Sequence, residues 1–129
     1  MDYAHKYVEN EVLTSRGVNV TMIIFKDLIE KMEYIIRFLN PADIKSFESE
    51  EALDKLDRME RMLEDQYMEF SKFSESFFVK MADCYQEIIE GLQTFKQTYN
   101  KVIIQNALGM IRDLQEGYEE VIKRDENRY

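Results

Sequence analysis

Side-chain chemistry needs titratable or nucleophilic groups gathered in the right pattern, and this chain offers few of them. His5 is the only histidine and Cys84 the only cysteine among its 129 residues. A carboxylate-bridged di-iron bundle needs Glu-x-x-His on two helices, which one histidine cannot supply. A zinc site built from Cys and His fails on the same shortage. A Ser-His-Asp or Cys-His relay could draw only on His5, in a polar N-terminal stretch. Cys84 lies on an apolar stripe, where a thiol acts as a small inert hydrophobe. His5 therefore reads as a surface residue. The glycines Gly17, Gly91, Gly109 and Gly117 stand alone, outside any Gly-x-Gly-x-x-Gly or Gly-Lys-Ser/Thr pattern, so nothing is built to cradle phosphates. Glu50-Glu51 and Glu119-Glu120 read as solvated helix faces rather than acid/base pairs. Asn19-Val20-Thr21 has the form of a glycosylation acceptor, but it falls at a helix start in a chain with no apolar leader. The expectation is a protein that is not an enzyme and takes no metal and no cofactor.

Charge narrows the partners. The 26 acidic residues outnumber the 17 Lys plus Arg, for a net charge of -9. That balance repels nucleic-acid phosphates and anionic membranes, which are normally held by basic patches. The longest apolar run, Met22 to Phe25, falls far short of the ~20 residues of a spanning helix. The polar start around Tyr3, His5 and Lys6 lacks a secretory apolar stretch, and a lone cysteine forms no internal disulfide. The expected location is the cytoplasm.

With nothing to catalyse, the elements must present a surface. With 4 Gly and 1 Pro there is too little turn chemistry for many short strands, so the expected fold is all-α. Residues 1–17 read as an irregular lead-in, and four helices over 18–125 make one domain. The first, about 18–39, carries Ile24, Leu28, Met32, Ile35 and Leu39 at spacings of three and four, and ends at Asn40-Pro41. The second, about 49–70, is capped by Ser49 and turns Leu53, Leu56, Leu63, Tyr67 and Phe70 to the core. Ser71, Ser74 and Ser76 favour a break before the third, although one helix from about 50 to 95 also fits the pattern. The third, about 76–96, uses Phe77, Met81, Cys84, Ile88 and Leu92 and frays after Gly91. The fourth, about 101–124, is capped by Asn100 and uses Ile104, Leu108, Ile111, Leu114, Tyr118 and Ile122. Helices of this length on short links predict an antiparallel up-down four-helix bundle.

These helices carry more apolar surface than one core line needs. Met22, Phe25, Ile29 and Ile36 form a second strip on the first helix, and Phe78, Tyr85 and Ile89 one on the third, while Met59 and Met62 sit off the centre of the second. Two readings fit: a wide core with Met as filler, or a groove that accepts a partner helix.

The residues Tyr7-Val-Glu-Asn10-Glu-Val12-Leu13-Thr14, then Thr21-Met-Ile-Ile-Phe25 and Ile29, resemble without a gap the N-terminal signature of the flagellar secretion chaperone family, FliS. Tyr85, Ile88, Ile89 and Leu92 resemble that family's third helix. Asn100 and Leu108-Gly-Met-Ile-Arg-Asp-Leu114 through Tyr118 resemble its fourth, so the likeness covers nearly the whole chain. Its departures are Gly17 where the family has proline, Lys26-Asp27 in place of Asp-Gly, and Tyr118 in place of Trp; the first of these implies a later start for helix one, with Asn19 as its cap. The resemblance implies a chaperone that binds the disordered C-terminal region of flagellin, or a related export substrate. Such a chaperone prevents early polymerisation and aids delivery to the flagellar type III export apparatus. It further implies client contacts at Met22, Phe25, Ile29, Tyr85 and Ile89, and a covering segment, Tyr3 to Thr14, that holds Tyr7 and Leu13 over the groove until the client displaces it. The rival expectation is a self-associating structural or regulatory protein, a homodimer through the same strips, or a co-chaperone with another client.

Overall fold

Four helices account for most of the chain: α1 (Val20–Phe38), α2 (Phe47–Phe70), α3 (Ser76–Thr98) and α4 (Lys101–Glu126). They are seen in a computed structural model, which describes residues 20–126. Their interior lines follow a three-four spacing, near 3.5 residues per turn, which keeps one face toward its neighbours over several turns. On α1 the line is Phe25, Leu28, Met32, Ile35, continued by Leu39; on α3 it is Phe78, Met81, Tyr85, Ile88, Leu92 and Phe95. α2 contributes Leu56, Met59, Leu63 and Phe70, and α4 contributes Ile104, Leu108, Ile111 and Tyr118. Each helix packs on the next and α4 returns to α1, closing an up-down four-helix bundle.

The connections differ from the expectation in detail. α1 ends ahead of Asn40-Pro41, and α2 starts at Phe47, two residues before the expected cap. Ser46, with extended backbone, is the cap, and its hydroxyl accepts a hydrogen bond from the Ser49 amide at 3.2 Å. Ser49 has another task. Fully buried, its Oγ accepts from the Asn40 amide at 2.9 Å and faces the Asn40 carbonyl at 3.4 Å, tying the end of α1 to the first turn of α2.

The serine cluster does break the chain, between Phe70 and Ser76. α3 does not fray after Gly91. Buried Leu92 and Phe95 hold it helical through Thr98, and it ends on Tyr99 in the left-handed region at φ 51. Asn100 caps α4 as expected, its side-chain oxygen accepting from the Val102 amide at 3.1 Å.

Candidate partner-binding site

The first helix is apolar at every position from Met22 to Phe25, so its inward phase is set by size and by the longer three-four run. Phe25 wins over Ile24. It is fully buried and meets the Tyr118 ring edge-on, 5.9 Å between centroids. Tyr85 is equally enclosed, stacked 5.9 Å from Phe70, and Ile89 is 6% exposed. These three therefore stand in the core, while Ile24, Leu53, Tyr67, Phe77 and Leu114, expected inside, are only half-buried against it.

Met22 and Ile29 remain half-buried on one flank of α1, in register with Ile36 at steps of seven. That flank faces α4. The Lys101 ammonium donates to the Ile36 carbonyl at 2.7 Å, and Arg112 pairs with Glu33 at 2.8 Å. Ile89 shares a flank of α3 with Lys96, which bonds Glu60 at 2.8 Å and Asp57 at 3.4 Å on α2. The five sequence-selected contacts are thus divided between the interior and two different seams. Tyr7 and Leu13, with the rest of the covering segment, lie outside the described residues.

Open apolar surface is found one step around α1. Ile23, Ile24 and Met62 line a groove of about 350 Å³ between α1 and α2, edged by Lys26, Asp27 and Glu30. Ile23 is 51% exposed and Val20 46%. Sequence reasoning passed over Ile23 because it falls opposite the core on a helical wheel. The signal that marks it is the unbroken run Met22–Phe25, which leaves α1 apolar on all sides there.

Cys84 is half-buried on the α4 side of α3, and burial raises its thiol above the ordinary value, with Glu87, Asp83 and Asp113 adding to the effect. That disfavours the nucleophilic thiolate. Lys96 is held above its ordinary value by its hydrogen bond to Glu60, against a smaller opposing effect of burial. The Tyr34 phenol is raised by donating to Glu51 at 2.8 Å. No group of three or more His, Cys, Asp or Glu that could hold a metal ion is found among the described residues. Nor is any of their helices long and apolar enough to cross a membrane. Compared with known proteins, the chain matches no family model, no curated protein and no solved structure.

Proposed function

We propose that this bundle is a cytoplasmic export chaperone for flagellin, and that α1 supplies the surface on which the client's disordered C-terminal region folds. The observation that carries the reading is the all-round apolar start of α1. A helix of that kind belongs in an interior, yet Ile23 and Val20 face outward beside the half-buried Ile24 and Met62. An amphipathic client helix laid along the α1–α2 groove would complete that interior. Methionine at the groove, being unbranched and flexible, adapts to more than one side-chain pattern. The resemblance of Tyr7–Thr14, Thr21–Ile29 and Asn100–Tyr118 to the FliS family supplies the client's identity. A client that orders only on binding loses part of its interaction energy to that ordering, which suits a complex that holds a subunit unpolymerised and releases it at the export apparatus.

The test is titration of the protein with a peptide of the flagellin C-terminal region, comparing the native chain with Ile23→Asp. The substituted position is exposed, so the helical signal and melting temperature should be kept while affinity falls at least tenfold, as expected when an apolar anchor becomes a charge. Phe25→Asp is unsuitable, because a carboxylate at that buried site costs on the order of 4 kcal/mol of stability. Unchanged affinity in a folded Ile23→Asp variant would remove the α1 surface from the reading.

Self-association is favoured by a different feature. Phe47, Val102 and Phe38, exposed by 76%, 54% and 37%, all lie at the end of the bundle that holds the α1–α2 and α3–α4 links. Light scattering without client separates the readings, a dimer unaffected by the peptide supporting this second one.

A further inference from the structure

The seam between α3 and α4 holds a second opening, of about 290 Å³, on a face the client reading does not use. Its floor and walls are Phe77, Met81, Cys84, Met110, Leu114 and Gly117. Phe77 stacks on Tyr118 at 6.5 Å, so its ring is fixed from behind. Gly117 puts no side chain in front of it. A Cβ built there would come no closer than 4.0 Å to Phe77, so internal packing does not demand a glycine that helix interiors disfavour. The bare position leaves room for another backbone to approach.

The charges around this opening are sorted. Lys80, Lys96, Lys101, Arg112 and Lys123 are the basic residues between positions 80 and 123. Three of them are turned away: Lys96 bonds Asp57 and Glu60 on α2, Lys101 the Ile36 carbonyl, and Arg112 Glu33 on α1. Asp83, Glu87 and Asp113, all exposed, have no ion-pair partner among the described residues. They lie close enough to raise the Cys84 thiol, which marks them as one field around the opening. Lys80 is the one cation at its edge among the described residues.

We propose that the α3–α4 groove is a second docking surface, and that its occupant is an amphipathic protein helix with an apolar edge flanked by Lys or Arg. The apolar edge enters between Phe77 and Leu114, and the flanking cations meet Asp83, Glu87 and Asp113. This surface stands apart from the α1–α2 groove and does not depend on what that groove holds.

The probe is a synthetic helix of about 18 residues, five turns, with leucines on one face and lysines beside them, against the same helix with glutamates for lysines. Amide NMR on the full chain should show saturable shifts at Met81, Cys84, Met110 and Leu114 with the lysine helix, and none with the glutamate helix. Reversing all three acids, Asp83→Lys, Glu87→Lys and Asp113→Lys, should weaken the lysine helix about tenfold or more. Because all three positions are exposed, an unchanged melting curve shows that the fold is kept. Gly117→Leu, in a chain left fully charged, should also block binding by filling the groove. Absence of binding, equal binding of the two helices, shifts centred on α1 and α2, or indifference to charge reversal in a folded chain would each overturn the proposal.

Discussion

Gln66 occupies the interior slot of α2 between Leu63 and Phe70 by spacing, and its Oε1 is buried without a hydrogen-bond partner among the described residues. A buried acceptor left unmade costs on the order of 1–3 kcal/mol, so Gln66→Leu should stabilise the bundle by about 1 kcal/mol in urea unfolding. A loss of stability would mean that the amide has a partner the pattern hides. Ser49→Ala removes the side chain that ties Asn40 to α2 and should cost about 1–2 kcal/mol, measured the same way. At this scale the sequence was only partly legible. Apolar periodicity marks a stripe but not its centre when neighbours on both sides are apolar, and so Ile24 and Phe25 exchange places, as do Phe77 and Phe78. Ring size and contact across helices decide between them, as Phe25 on Tyr118 shows, and neither is visible in local spacing.

Helices were easier to read, because their signals are local. Asn40-Pro41, the serine cluster and Asn100 each mark an end that the backbone respects. The misread cap had two serines three residues apart in competition. Ser46 takes the cap because Ser49 is drawn into the link with Asn40, a contact nine residues long in sequence. Gly91 did not fray α3 because buried Leu92 and Phe95 outweigh the glycine's propensity cost. Gly109 has no such compensation to disturb, since a Cβ built there meets nothing within 4 Å. Gly109→Ala should therefore stabilise α4 by roughly 1 kcal/mol and raise the melting temperature by a few degrees. An unchanged or lower melting temperature would show that this position is not open.

At the scale of the whole molecule, pH acts on groups that sit apart from one another on α1 and α3. Tyr34, Cys84 and Lys96 all hold their protons more tightly folded than unfolded. Their contribution is complete below the unfolded values and is lost as pH climbs through the folded ones, so the melting temperature should fall from about pH 9 upward. The slope should be shallow, because Tyr34 and Lys96 are largely solvated; a melting temperature constant to pH 11 would contradict it. The bundle itself was legible in the near absence of Gly, Pro, His and Cys. The proposed binding surface was not, because the open residue Ile23 looks on a wheel like an isolated exposed side chain and becomes part of a groove only when Met62 of α2 stands beside Ile24. The most direct test of the chaperone reading is the mass of the complex in light scattering when a flagellin C-terminal peptide is added to the purified chain. A saturable one-to-one complex of one bundle and one peptide is the predicted result, and a chain whose mass does not change with peptide would contradict it.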